Sequence, residues 1–216
     1  MANRDMTGDG PASLWASAGD RAREREMKRE AVLTTAVRLF NLKGFVTTSL
    51  DDVALALGVT KPTIYHYFPN KDEILYECVR RGLDSIRRTA AEAAKIRGDG
   101  AVRLRKMLLS YALVMTRDFG ICVGRTNDAE LSPENRARYR AAKREIDQML
   151  RGALQAGIDD GSLRPQDARL AVFAVAGALN AIGRWYDPKG AMSAEAVAKG
   201  MVDALMRGLD AIRKED

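Results

Sequence analysis

From Glu24 onward apolar residues recur with a helical period, and no segment sustains the strict alternation of a half-buried strand. In "REREMKREAVLTTAVRLFNLKG" the positions Val32, Leu33, Ala36, Val37, Leu39 and Phe40 share one face, and Gly44 after Lys43 is a stop signal. "TTSLDDVALALG" restarts the pattern: Ser49 is placed to cap it, and Asp51 and Asp52 suit the positive end of a helix. Leu50, Val53, Ala54 and Leu57 turn inward, and Gly58 closes this second helix. "VTKPTIYHYF" predicts a third, with Thr60 as cap and Pro62 in the first turn, where a missing N–H does no harm. "PNKDE" breaks it and opens a long fourth helix at Lys71, with Asn70 and Glu73 at capping-box spacing.

Only helices are expected beyond that point, over 101–116, 131–157, 165–186 and 193–212, with "IDDGSLRP" a turn and "DPKGAM" a loop. The fold predicted is all-α. Residues 24–70 form a three-helix domain of helix-turn-helix type, and a long helix joins it to a helical domain over 71–216. Residues 1–23, rich in Gly, Ser, Ala and Asp, read as a flexible tail.

Composition narrows function only a little. The 216 residues are 46% hydrophobic and 30% charged, an ordinary globular balance, and the net charge of +6 permits a polyanionic partner without identifying one. Cys78 and Cys122 have neither metal-ligand spacing nor a disulfide framework and read as buried thiols of a reducing cytoplasm. No apolar run approaches the ~20 residues of a membrane helix, and the N-terminus lacks a signal-peptide core, so a cytoplasmic protein with no membrane partner is expected. The single histidine, His66, has no Cys or carboxylate at ligand spacing on its face; neither a metal nor a cofactor is expected.

The candidate chemistry lies in "TKPTIYHYFPNKDEIL". Aromatics are 6% of the chain, yet Tyr65, Tyr67 and Phe68 occupy three of four consecutive positions. At about 100° per residue Ile64 and Phe68 point inward, Pro62 and His66 lie opposite, and Thr63 and Tyr65 flank them. That outer face is small, polar and aromatic. A helix over Thr60 to Tyr67 would be about 12 Å long, a match to the major groove's width of about 12 Å. Thr, Tyr and His bring donors and acceptors for base edges, and Thr and Pro bring apolar contact for thymine methyls. Lys61 and Lys71 bracket the helix where phosphates run, and Thr47 and Thr48 are expected to expose hydroxyls at a helix N-terminus, where phosphates bind.

"GFVTTSLDDVALALGVTKPTIYHYFPNKDEIL" resembles the N-terminal domain of the TetR family of bacterial transcriptional repressors. The match runs in register through Gly44, Phe45, Thr48, Val53, Ala54, Gly58, Val59, Thr60, Tyr65, Tyr67, Phe68, Lys71, Glu73 and Leu75, about the first third of the chain. The resemblance implies phosphate contacts from Thr48, Tyr67 and Lys71. It places Lys61, Pro62, Thr63, Tyr65 and His66 at bases or adjacent backbone. Pro62 stands where many members carry Gly or Ala, a change that bears on which bases are read.

In the second domain Met107, Met115, Phe119, Met149, Phe173 and Trp185 are large or adaptable and suit an apolar effector cavity, though each also suits an ordinary core. Leu170, Phe173, Gly177, Ala181 and Trp185 form one stripe, and Val197, Met201, Leu205, Gly208 and Ile212 another. Used twice, this helix pair makes a two-fold four-helix bundle, the homodimer interface that the resemblance also implies. "GRWYDPKGAMSAE" is similar to a loop in family members that respond to acyl-CoA thioesters. The arginines of "CVRRGLDSIRRTAAEAAKIRG" read as a solvated helix face.

The function expected is therefore a ligand-responsive transcriptional regulator, in the family's commonest mode a repressor. It binds a pseudo-palindromic DNA operator as a dimer and is released by a small apolar or amphipathic effector, an acyl-CoA among the candidates. The alternative is a helical enzyme acting on a small apolar substrate. Such an enzyme needs a nucleophile or an acid–base pair, and the second domain offers no histidine, Asp159 and Asp160 only in a turn, and Cys122 without a neighbouring base. A helical protein-interaction module would leave the Thr60–Tyr67 face unexplained.

Overall fold

A computed structural model describes residues 18–209. Residues 1–17 of the tail expected over 1–23, and the dimer candidate Ile212, lie outside the described residues. Among these there are nine α-helices: α1 (Ala18–Lys43), α2 (Leu50–Leu57), α3 (Lys61–Tyr65), α4 (Lys71–Ala93), α5 (Gly100–Met115), α6 (Asp118–Arg125), α7 (Pro133–Asp159), α8 (Ala168–Trp185) and α9 (Ala194–Leu209). A 3-10 turn spans Asp128–Glu130. The expected all-α class holds, and no single helix among the described residues is long and apolar enough to cross a membrane.

The small domain closes on a core of Val32, Leu33, Ala36, Val37 and Phe40 from α1, Leu50, Val53 and Ala54 from α2, and Ile64 and Phe68 from α3 and its exit. α2 begins with a reciprocal capping box, Ser49 Oγ accepting from Asp52 N–H at 3.1 Å while Asp52 accepts from Ser49 N–H at 2.8 Å. It ends at Gly58, whose φ of +66° is a left-handed conformation that a side chain resists.

The structure corrects two boundaries and one cap. α1 starts at Ala18, so residues 18–23 are helical; its first turns carry i,i+3 and i,i+4 ion pairs such as Lys28–Glu24 at 2.5 Å rather than an apolar stripe. α3 is five residues, not eight, because Tyr67 and Phe68 N–H both bond Ile64 C=O in a tight turn that drives Phe68 into the core. At α4 only half the capping box forms. Asn70 accepts from Glu73 N–H at 2.8 Å, but Glu73's carboxylate turns to Asn135 Nδ2, also at 2.8 Å.

The larger domain packs α4, α5 and α7 side by side, α8 against α5, α6 and α7, and α9 mainly along α5. α6, absent from the expected elements, bends 90° from α5 and lies against α1, α4 and α8. It touches α8 almost backbone to backbone: a Cβ on Gly124 would sit 2.6 Å from Asn180 C=O, and one on Gly183 3.1 Å from Ile121 Cα. Only glycine permits that approach.

Candidate functional site

α3 presents an outer face made by short-range geometry. Ile64 is fully buried and aims the helix, leaving Pro62, Thr63, Tyr65 and His66 exposed, with Lys61 and Tyr67 half-buried. Tyr65 keeps 47% of its surface open. Thr60 and Thr63 hydroxyls lie 3.0 Å apart, and the His66 and Tyr67 rings meet edge to face at 5.1 Å. Thr60 is the N-cap residue without a side-chain capping bond. Lys61 Nζ donates to Asp51 Oδ2 at 2.8 Å, which raises its pKa, so the ammonium is charged and placed beside α2. This face therefore offers hydroxyls, an imidazole and a phenol within one turn and a half of helix.

Two expected phosphate ligands are placed otherwise. Thr48 is 1% exposed, its hydroxyl donating to Gly44 C=O at 2.8 Å and Leu39 C=O at 3.3 Å, so it ties α1 to α2 instead of facing outward. Lys71 Nζ folds back to donate to Phe45 and Thr48 C=O, each at 2.8 Å, and lies 4.3 Å from the centre of the Phe45 ring. Burial lowers its pKa. Both side chains close the loop from α1 to α2. Thr47 is exposed, with its hydroxyl on Lys43 and Gly44 C=O.

The small domain is fastened to the larger one at α1 and α4. Glu77 of α4, 8% exposed, accepts from Arg80 Nη2 at 2.7 Å and Arg81 Nε at 3.3 Å, with Arg29 of α1 at 3.4 Å. Burial pushes the carboxyl upward, and the guanidiniums of Arg80, Arg29 and Arg81 outweigh that and hold it below the ordinary range. Arg29 also stacks over the Phe68 ring at 4.8 Å. Of the arginine face expected to be solvated, Arg80 and Arg81 belong to this clamp, while Arg87, Arg88, Lys95 and Arg97 are exposed.

A cavity of about 650 Å³ opens between α4, α5, α6, α7 and α8. Leu83, Tyr111, Val123, Ile146, Leu150 and Phe173 make its apolar wall, and Lys143, Arg144, Arg151 and Arg184 stand around it with Asp147 the one carboxylate. Of the six residues expected to line a cavity, only Phe173 does. Met107 and Met115 are buried in the core, Phe119 lies beneath Arg81 with Arg81 Cζ 5.6 Å from its ring centre, Met149 packs on the core, and Trp185 is 51% exposed. Apolar bulk in a sequence marks a core as readily as a cavity. The polar residues of this wall carry no local signal of their own.

The C-terminal end of α6 connects the cavity to α1. Gly124, Thr126 and Arg184 line the cavity, and Arg184 Nε donates to Gly124 C=O at 3.1 Å. Next to them Arg125 donates to Gly183 C=O at 2.7 Å and to Asn41 C=O of α1. Asp118 at the other end of α6 accepts from Arg38 Nε at 3.1 Å, and its carbonyl accepts from Asn41 Nδ2 at 2.8 Å.

α8 and α9 leave an uncovered face. Leu170 is 64% exposed, Gly177 is exposed and Ala181 half-buried beside it. On α9 the expected stripe is displaced by one residue: Val197 is buried and Met201 and Leu205 half-buried against α5, while Ala196, Gly200, Ala204 and Gly208 face outward. No atom lies within 4 Å of a Cβ built on Gly177, Gly200 or Gly208.

Comparison with known proteins agrees with this geometry. Residues 32–78 match the family model described as bacterial regulatory proteins, tetR family, and residues 97–209 that of the Tetracyclin repressor-like C-terminal domain. The HTH-type transcriptional repressor KstR2 of Rhodococcus jostii (strain RHA1) is 26% identical over 185 residues, 84% of this chain and 91% of its own. Among solved structures, the TetR-family regulator PfmR of Thermus thermophilus superimposes with a TM-score of 0.76 at 35% identity, over 83% of this chain and 99% of that one. AibR, solved with isovaleryl coenzyme A and operator DNA, superimposes with a TM-score of 0.74 at 28% identity, over 83% of this chain and 98% of its own.

Proposed function

The chain belongs to the TetR family of bacterial transcription regulators, and on that footing we propose that it acts as a dimeric, effector-released repressor. Its relatives are regulators and not enzymes, so the helical-enzyme alternative falls away. The observation that carries the reading is the outer face of α3, where Pro62, Thr63, Tyr65 and His66 are held outward by a buried Ile64. Two such faces, one per protomer, enter successive major grooves of a pseudo-palindrome. Lys61, Thr47 and Tyr67 serve the phosphates, while Thr48 and Lys71 hold the loop that positions them.

The exposed α8–α9 face joins the two protomers, its small residues allowing close helix approach. The cavity takes the effector. Its apolar wall and cationic surround fit an acyl-CoA, the class bound by AibR. Filling it displaces α6, and the bonds from Arg125 and Asp118 to α1 carry that displacement to the reading head. A near-complete switch requires the ligand to prefer the released state by about 5.5 kcal/mol.

The test is fluorescence anisotropy on an operator duplex with Tyr65→Ala. Loss of one base-contacting side chain costs about 1–3 kcal/mol of sequence-specific affinity while sedimentation still reports a dimer. Wild-type operator affinity in this variant would remove α3's outer face from the reading.

A further inference from the structure

The cavity wall contains one polar pair whose geometry selects among ligands of equal size. Tyr111, 4% exposed, donates its hydroxyl to Asn180 Oδ1 at 2.9 Å. Burial pushes the phenol's pKa up to about 12, against the opposing effect of Asn180, so it stays protonated. Both residues line the cavity. With Oδ1 occupied by the phenol, the Asn180 Nδ2 hydrogens have no protein acceptor among the described residues. α6 fixes the position further, since the Asn180 backbone lies against Gly124.

The cationic side chains around the cavity, Lys143, Arg144, Arg151 and Arg184, are also donors. Arg184 Nε uses Gly124 C=O, and Arg151 pairs with Asp147 at 2.7 Å, which leaves Arg151 Nε buried and without a partner. Arg144 is exposed and has no ionic partner among the described residues. Asp147 is thus neutralised, and a donor-rich cavity calls for an acceptor-rich ligand.

We propose that Asn180, oriented by Tyr111, is the specificity-determining residue of the cavity, its Nδ2 donating to the carbonyl oxygen of an acyl thioester whose anionic head lies among Lys143, Arg144 and Arg184. This rests on the reading of the cavity as the effector site and adds what it discriminates: a carbonyl adjoining the acyl chain, in preference to a hydrocarbon of the same length. Tyr111 is a positioning residue, acting through Asn180.

The experiment is calorimetric titration of the full-length dimer with isovaleryl-, butyryl- and octanoyl-CoA and with the S-alkyl-CoA thioethers of the same chains, which keep the head and lack the carbonyl. The wild-type protein binds the best thioester about tenfold more tightly than its thioether, the worth of one buried hydrogen bond. Asn180→Leu and Asn180→Asp bring that ratio to about one or below, and Tyr111→Phe reduces it. Asn180→Asp keeps the acceptor for Tyr111, so it tests the donor without removing the pair. Equal binding of thioester and thioether by the wild-type protein, or a tenfold ratio that survives in both Asn180 variants, overturns the role of Asn180 and leaves the effector site standing. Binding of neither compound overturns both.

Discussion

At the scale of single residues, burial reassigns side chains that look alike in sequence. Thr47 and Thr48 are adjacent and both precede a helix, yet one is exposed and the other is 1% exposed with two carbonyl partners. Thr48→Val therefore lowers unfolding free energy by about 1–2 kcal/mol in denaturant titration, the worth of the buried hydroxyl's hydrogen bonding to the Gly44 and Leu39 carbonyls. DNA affinity of the folded variant stays at the wild-type value. Unchanged stability with weakened binding would return the hydroxyl to a phosphate. The positions of Tyr65 and His66 were legible because a helical wheel anchored on Ile64 settles which way they face. Whether Thr48 and Lys71 turn out or in was not legible, since it depends on carbonyls of Leu39, Gly44 and Phe45 brought near only by folding.

At the scale of elements, patterning predicted α1, α2, α4, α5, α7, α8 and α9, and α3 at greater length, because each carries an apolar stripe or a cap. α6 escaped: it is eight residues, three of its buried positions being Gly120, Cys122 and Gly124, and it is placed by glycine contacts with α5 and α8 rather than by its own periodicity. The polar start of α1 escaped for the opposite reason, having charge pairs and no core. The α1–α4 junction is equally invisible in sequence, although its clamp sets where the reading head sits. Glu77's carboxyl is held below its ordinary value of 4.5 in the fold, so the stability it supplies is complete above that value and is lost as pH falls through the folded pKa. Glu77→Gln removes the charge that three arginines share and costs about 1–3 kcal/mol at neutral pH. Thermal unfolding from neutral to acid pH checks both parts: the variant's Tm is lower at pH 7 and its acid limb is flatter. Parallel acid limbs for the two proteins would assign the acid sensitivity to other carboxylates.

At the scale of the whole molecule, a single protomer presents one reading face, and a palindrome needs two. The outward small residues of α9 and the apolar row on α8 are the surface through which the second copy is expected. Gly200→Arg places a long charged side chain where no atom of the protomer lies within 4 Å, so the fold tolerates it. Sedimentation equilibrium is expected to give a monomer with unchanged helicity and lost operator affinity. A Gly200→Arg dimer that still binds its operator would move the interface to another face. The stripe's existence was legible in the sequence; its register was not, because α5 decides which α9 residues are core.

All of these roles depend on the chain reading a specific DNA sequence. Fluorescence anisotropy of the full-length protein on duplexes spanning the DNA beside its own gene, across a salt series with excess competitor, tests it most directly. Saturable, competitor-resistant binding to one short inverted repeat is expected. Weak binding that is equal on every duplex and vanishes with salt would contradict it.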